Sequence, residues 1–190
     1  MLDHYFPFVT AGVIGLAVAA MLSIVYATLR NGISPMPASA PVRRAIVREV
    51  NRLPEVSTIV DAGSGWGTLT FAISNHCPDK HIIGIENSPI PFLVSRLFVR
   101  GRISFIRGDL YSYDYKNTDL VICYLYPGAM KRLSPMFRER LAPGTRIMSI
   151  CFALPGWEAT QVLTCNDLYR TKIYVYMQKP AACKATGSPS

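Results

Sequence analysis

The chain has 190 residues, of which 50% are hydrophobic and 17% are charged, whereas charged residues make up about 25% of a typical soluble domain. Once an apolar N-terminal segment is set aside, the length leaves room for one domain of roughly 150 residues and argues against a second. The net charge of +8 favours an anionic neighbour, either nucleic acid or a membrane surface. The five cysteines include no Cys-x-x-Cys pair, which argues against a disulfide framework or a zinc site and fits a reducing compartment.

The N-terminal segment is uncharged from residue 8 to residue 29, and about 20 helical residues are enough to cross a hydrocarbon core. We therefore predict a transmembrane anchor within residues 1–30. A cleaved signal peptide would have a shorter apolar stretch behind a basic start, whereas this chain begins with Asp3 and His4. Arginines follow the segment and none precedes it. The positive-inside rule accordingly predicts a single-pass membrane protein with the rest of the chain in the cytoplasm.

Residues 31–41 contain three prolines and several other turn-forming residues, which predicts a linker. Apolar residues then recur at helical spacing over 42–53, opposite Arg43, Arg44 and Arg48, as is typical of an amphipathic helix. We expect the arginines to form a solvated or lipid-facing surface rather than a substrate site.

From residue 58 onward, short apolar runs alternate with helical patterns, which predicts a parallel sheet with helices on both faces. The predicted strands are 58–60, 82–85, 103–106, 120–125 and 146–151. The predicted helices are 68–75, 90–98 and 130–141, the last interrupted near Pro135. Two further β-rich runs, 160–164 and 172–177, have no helix between them and predict a terminal antiparallel hairpin. The domain thus covers residues 42–179, and residues 180–190 are expected to be disordered.

A glycine-rich loop, Asp-Ala-Gly-Ser-Gly-Trp-Gly at residues 61–67, lies between the first strand and the following helix. Such a loop turns tightly and lets a ligand approach the backbone, and in open α/β sheets ligands bind beyond the carboxyl ends of the strands. A dinucleotide fingerprint places its third glycine one residue later. Asp61 adds a carboxylate that repels phosphate but suits a cationic sulfonium and amino-acid group. An ordinary glycine turn is the alternative interpretation.

Two more acidic residues follow the next two predicted strands. Glu86 ends the second strand, where a carboxylate can accept hydrogen bonds from ribose hydroxyls. Asp109 follows the third strand and is placed to receive an adenine amino group. Each of them alone is also compatible with a surface residue or a turn. Acidic side chains at three successive strand ends together favour a nucleoside cofactor.

With these motifs, residues 42–177 resemble the class I S-adenosylmethionine-dependent methyltransferases. More narrowly, the apolar helix, residues 36–39 (Met-Pro-Ala-Ser), 84–89 (Gly-Ile-Glu-Asn-Ser-Pro) and 124–130 (Tyr-Leu-Tyr-Pro-Gly-Ala-Met) resemble the small membrane-anchored protein-lysine N-methyltransferases. That family includes the mitochondrial enzymes that modify the ATP synthase c-subunit and the adenine nucleotide translocase. The first motif departs from the family at Ala62, usually leucine, and at Trp66, often acidic.

The resemblance implies a doubly wound, Rossmann-like α/β fold with a seven-stranded sheet, S-adenosylmethionine as the cofactor and no metal. The residues that it implies for cofactor binding are Asp61, Gly63, Ser64, Gly65, Gly67, Glu86, Asn87, Asp109, Leu110 and Tyr124. Those that it implies for the substrate are Pro37, Ser39, Tyr126 and Pro127, with Tyr126 as the candidate catalytic residue. The linker residues either cover the mouth of the active site or form an inert tether.

The expected acceptor is a lysine of a protein in or near the membrane. Tyr124 and Tyr126 could wall a channel for its amine, because aromatic ring faces attract cations; ordinary aromatic packing is the alternative. Nucleobase methyltransferases typically carry Asn or Asp, then Pro-Pro and an aromatic residue at this position, so we expect no nucleic-acid substrate. A lipid, a quinone or another small amphipathic acceptor remains open. So does a non-catalytic module that binds a nucleoside cofactor or nucleic acid, and a dinucleotide-dependent oxidoreductase is the least favoured reading.

Overall fold

The structure is a computed structural model that describes residues 6–31 and 37–180. Its helices are α1 (Phe6–Asn31), α2 (Ala40–Asn51), α3 (Thr68–His76), α4 (Pro89–Leu97) and α5 (Pro127–Arg140). Its strands are β1 (Thr58–Ala62), β2 (His81–Glu86), β3 (Ile103–Arg107), β4 (Leu120–Cys123), β5 (Arg146–Ile150), β6 (Gln161–Thr164) and β7 (Lys172–Met177). The predicted strands and helices of the domain are all present, and none of their ends differs from the prediction by more than three residues.

The seven strands form one sheet in the order β3-β2-β1-β4-β5-β7-β6. The first five strands are parallel, and β7 is antiparallel to both β5 and β6. This confirms the predicted open sheet with a terminal antiparallel hairpin. The strand order reverses between β1 and β4, the neighbours whose carboxyl ends bracket the usual ligand crevice of doubly wound folds.

Each face of the sheet has its own apolar core, because alternate side chains of a strand point to opposite faces. On one face, α2 and α3 pack through Ile46 and Ile73 against Ile59 of β1. On the other face, Leu133 and Phe137 of α5 pack against Val121 of β4. The central strands β1 and β4 are buried on both faces, as expected for parallel strands covered by helices on each side.

Two predicted elements differ from the structure. β4 ends at Cys123 rather than at residue 125, because the chain leaves the sheet there and enters α5 through Pro127 in its first turn. The predicted interruption near Pro135 is wrong, since α5 continues through that residue to Arg140. Its neighbours Leu133 and Phe137 are fully buried, and their packing offsets the helix hydrogen bond that proline cannot make.

The C-terminal end of the predicted linker, residues 31–41, belongs to helix α2 in the structure. Ala40 and Pro41 form the first turn of α2, and Ser39 is the residue that precedes this helix. Proline at the start of a helix is favourable because its missing N–H has no partner there in any case. Of the remaining linker residues, Pro37 and Ala38 precede Ser39, and residues 32–36 lie outside the described residues. Residues 181–190 of the predicted disordered tail also lie outside them.

The predicted membrane segment is helical, because α1 spans Phe6–Asn31. Across residues 6–31 and 37–180, however, the structure contains no helix of the length and apolar character needed to cross a membrane. The prediction of a transmembrane helix is therefore not supported. What the structure shows instead is a helix that contacts α4 of the domain and whose large apolar side chains, where described, are exposed.

Candidate active site

A cavity of about 820 Å³ opens at the carboxyl ends of β1, β2 and β4. Nine of the ten predicted cofactor residues lie on its wall, and the tenth, Gly67, does not. Pro37 and Tyr126, which were predicted for the substrate, lie on the same wall. The structure thus brings residues from the linker, from the glycine-rich loop and from three strand ends into one space.

The glycine-rich loop is fixed to the neighbouring strand by its own backbone. The N–H groups of Gly63 and Ser64 both donate to the Ile85 carbonyl, at 3.0 and 2.9 Å. Gly63 has φ +81°, and a Cβ at this position would lie 2.6 Å from Cδ2 of Leu125. Any side chain at Gly63 would therefore meet both backbone strain and a steric clash.

Asp61 is the most perturbed carboxyl group on the cavity wall. Only 2% of the residue is exposed, and this burial raises the pKa of its carboxyl from 3.8 to about 6. The Thr70 hydroxyl donates to Oδ2 at 2.7 Å and lowers the pKa, while the nearby Glu86 charge raises it. Thr70 is the hydrogen-bond partner of this buried carboxylate, and a positively charged ligand would stabilise its ionised form further.

Glu86 is held by the main chain through both of its carboxylate oxygens. The Gly65 N–H donates to Oε2 at 2.8 Å, and the Ser88 N–H donates to Oε1 at 2.7 Å. Each oxygen keeps a second lone pair for a ligand hydroxyl. Glu86 therefore joins the glycine-rich loop to the start of α4 in addition to facing the cavity.

Ser64 supplies a test of whether a polar ligand fits. Its hydroxyl oxygen is buried on the cavity wall and has no hydrogen-bond partner among the described residues. A buried hydroxyl without a partner is unfavourable unless a ligand or water satisfies it. The Ser64 hydroxyl, the buried Asp61 carboxylate and the backbone at Gly63 are polar groups that fit a cofactor with amino-acid and ribose groups.

The segment after β3 forms a turn along the cavity. Asp109 is exposed, and its Oδ1 accepts a hydrogen bond from the Tyr111 N–H at 3.0 Å. The Tyr115 hydroxyl donates to the Leu110 carbonyl at 2.7 Å and holds the turn against the core. The Arg132 guanidinium lies 3.8 Å from the centroid of the Tyr111 ring. Asp109 and Leu110 are therefore presented to the cavity by a braced turn.

Two tyrosines follow β4 on the cavity wall. Burial raises the pKa of the Tyr124 hydroxyl, and the nearby Cys151, which follows β5, raises it further. Tyr126 immediately precedes α5, and its ring lies over Gly128, where a Cβ would approach within 2.6 Å of the ring. The absence of a side chain at Gly128 thus makes room for the Tyr126 ring.

Three predicted site residues are not on the cavity wall. Ser39 precedes α2, and its carbonyl accepts the Arg43 N–H at 2.9 Å. Pro127 is exposed in the first turn of α5, and Gly67 precedes α3. These three residues shape neighbouring elements instead.

Other cavity residues were missed from the sequence. Ser23 of α1, Trp66, Arg107, Tyr111 and Arg132 all line the cavity. Trp66 and Tyr111 lie next to predicted site residues, so their positions in the motifs could have indicated them. Ser23 and Arg132 come from helices whose approach to the cavity no local pattern encodes.

A doubly wound sheet with a glycine-rich first loop, acidic groups at three successive strand ends and a buried, cation-seeking carboxylate defines the class I S-adenosylmethionine-dependent methyltransferases. A family model described as the ANTKMT methyltransferase domain matches residues 61–161, more than half of the chain. The chain belongs to this family, and the predicted class of enzyme is confirmed.

The individual relatives are distant. A protein-lysine N-methyltransferase of Saccharolobus islandicus is 24% identical over 135 residues, which cover 67% of this chain and 84% of that protein. The mouse adenine nucleotide translocase lysine N-methyltransferase is 24% identical over 139 residues, and the matched region spans 68% of this chain but only 60% of the mouse protein. The crystal structure of an RNA methyltransferase from Salinibacter ruber in complex with S-adenosyl-L-homocysteine has a TM-score of 0.66 and 24% identity. That match covers 80% of this chain and all of the other, and at this identity it shows a shared fold.

Proposed function

We propose that this methyltransferase transfers a methyl group to the side-chain amine of a protein lysine. The observation that carries the proposal is the position of Tyr126 on the wall of the cavity that also contains Asp61 and Glu86. An aromatic ring beside the cofactor groups suits a cationic or amine acceptor. The two relatives that are named as lysine methyltransferases support the same acceptor.

The polar groups on the cavity wall suggest which residue binds each part of the cofactor. The Asp61 carboxylate would face the cationic part of S-adenosylmethionine, and the Ser64 hydroxyl and the backbone at Gly63 line the same cavity. The open lone pairs of Glu86 would accept hydrogen bonds from the ribose hydroxyls, and Asp109 and Leu110, on the same wall, would border the adenine. The predicted contributions of Asn87 and Tyr124 are supported by their positions on the wall.

S-adenosylmethionine, when bound, supplies a methyl group on a sulfonium, from which a nucleophile displaces a neutral thioether. The protein has to position a neutral amine and exclude water, since a protonated amine has no lone pair with which to attack. The Tyr126 ring and the neighbouring Tyr124 hydroxyl are the groups of this chain that can orient the amine. Partial burial of the acceptor there would lower the pKa of a lysine and favour its reactive form.

The acceptor class can be tested with methyl-labelled cofactor and a membrane fraction. After incubation with the full chain, protein, organic-soluble lipid and RNA are separated and counted. The proposal expects label in protein, and expects its loss with the Tyr126→Ala variant while binding of S-adenosylhomocysteine persists. Label in lipid would favour a small amphipathic acceptor, and label in RNA would favour a nucleic-acid substrate; either result contradicts lysine methylation.

The location of the enzyme at a membrane is part of the proposal. It is supported by the exposed apolar side chains along α1, among them Phe8, Leu16 and Leu22, and it does not require the helix to cross the bilayer. Flotation of the full chain with lipid vesicles tests it, and a chain that stays at the bottom of the gradient contradicts it. The cytoplasmic location of the domain, expected from the arginines that follow residue 29, stays a prediction.

A further inference from the structure

The outer side of α4, near one edge of the sheet, carries apolar side chains beside arginines. We call the α4 surface the group formed by Leu93, Arg96, Leu97, Phe98, Val99 and Arg100. The exposed fractions are 57% for Leu93, 80% for Leu97 and 59% for Phe98. Because a helix that covers a sheet normally turns a polar face to solvent, a cluster of exposed apolar residues marks an interaction surface.

The α4 surface and the residues that follow it are basic, which favours an anionic partner. No Asp or Glu occurs between Glu86 and Asp109, whereas four arginines occur there. All four are exposed: Arg96 and Arg100 belong to the α4 surface, while Arg102 precedes β3 and Arg107 ends it. A surface of this kind is complementary to an anionic one.

The apolar residues narrow the choice further. Leucine, valine and phenylalanine side chains give little to a nucleic-acid backbone, which is bound by charge and hydrogen bonds. They do insert below the headgroups of a bilayer, while arginine stems extend along apolar surface and leave the guanidinium among phosphates. The α4 surface also adjoins a second apolar surface, because α1 contacts α4 and exposes apolar side chains of its own.

We infer that the α4 surface docks on an anionic lipid bilayer and that Leu97 and Phe98 enter its interfacial layer. This inference rests on the proposed location at a membrane and adds a contact made by the catalytic domain itself. Ser23 of α1 and Pro89 at the start of α4 both line the cavity. Docking through α1 and α4 together therefore holds the cavity beside the lipid, where a lysine of a membrane protein is presented.

The test places an indole at the proposed contact. The full-length Phe98→Trp variant is mixed with vesicles of phosphatidylcholine and phosphatidylserine whose acyl chains are brominated near the headgroup, and the quenching of fluorescence beyond that of the wild type is measured. Leu168→Trp is the matched control, because Leu168 is 89% exposed and follows β6, at the opposite edge of the sheet. Flotation of the same samples measures membrane binding as a whole.

The inference expects quenching for Phe98→Trp, little for Leu168→Trp, and less quenching with pure phosphatidylcholine. Replacing both Arg96 and Arg100 by Gln should weaken vesicle binding roughly 25-fold at low salt, since each basic residue near an anionic surface contributes about a fivefold factor. A chain that floats without quenching at position 98 overturns the docking in favour of a protein partner, yet leaves the membrane location intact. Equal quenching at both positions or with neutral vesicles also overturns it, and a chain that does not float overturns both proposals.

Discussion

The buried Asp61 carboxylate should make the cofactor-free protein less stable than it would be with a neutral side chain. Its pKa is raised from 3.8 to about 6 by burial, so ionising it in the folded state costs about 3 kcal/mol more than in the unfolded chain. The pKa of Asp61 in the folded state lies above its pKa in the unfolded chain. This penalty is therefore absent below pH 3.8, grows between pH 3.8 and about pH 6, and is complete above about pH 6.

Replacing Asp61 with Asn removes the charge and keeps an oxygen that can accept the Thr70 hydroxyl proton. The variant should gain up to about 3 kcal/mol in the free energy of unfolding at pH 8 and well under about 1 kcal/mol at pH 4. It should also lose affinity for S-adenosylhomocysteine at pH 8 by about 10-fold or more, because the cationic part of the ligand loses its counter-charge. Stability and binding are thus expected to change in opposite directions.

Urea unfolding of the full chain without cofactor, at pH 4 and pH 8, measures the first effect, and calorimetric titration measures the second. Asp109→Asn is the matched control, because Asp109 lies on the same cavity wall but is exposed; its stability should change by less than about 0.5 kcal/mol. A loss of stability in Asp61→Asn at pH 8, or an equal gain at both pH values, would refute the reasoning.

Three further substitutions test the site. Gly128→Ala should push the Tyr126 ring aside, because the new Cβ would lie 2.6 Å from it. We expect kcat/KM for the acceptor to fall by roughly 10-fold, while the cofactor affinity measured by calorimetry stays unchanged. The control Gly15→Ala places its Cβ in open space within α1 and should change neither quantity. Glu86→Gln points an amide at one of two main-chain N–H donors and should lower the unfolding free energy by about 1–3 kcal/mol, measured with urea. Thr70→Val removes the hydroxyl hydrogen bond that lowers the pKa of the Asp61 carboxyl. The pH at which half of the cofactor binding is lost should therefore rise. If this pH stays unchanged, the Asp61 carboxylate is not the group that binds the cofactor.

The local part of the site was predictable from the sequence. The loop from Asp61 to Gly67 and the acidic residues Glu86 and Asp109 follow apolar runs, and parallel strands bring their carboxyl ends to the same edge of the sheet. The residue types in that loop also favoured a sulfonium over a phosphate ligand. These positions depend on strand periodicity and chain order, both of which can be read along the sequence.

What the sequence could not supply depends on tertiary contacts. That Glu86 bonds the main chain of residues 65 and 88 follows from the packing of two loops. That Arg132 stacks on Tyr111 follows from the placement of α5 over the turn after β3. The hydrophobicity of residues 8–29 predicted a membrane-spanning helix, which the structure does not support, and it gave no indication that α1 would contact α4.

The identity of the methylated group tests the central proposal most directly. Membrane protein labelled by the full chain with methyl-labelled cofactor is hydrolysed to amino acids, and the labelled product is identified by chromatography and mass spectrometry. Asp61→Asn serves as the control that binds cofactor poorly. Protein-lysine methylation predicts Nε-methyl-lysine with the wild type and little with the variant; label in any other amino acid, or none in protein, would contradict it.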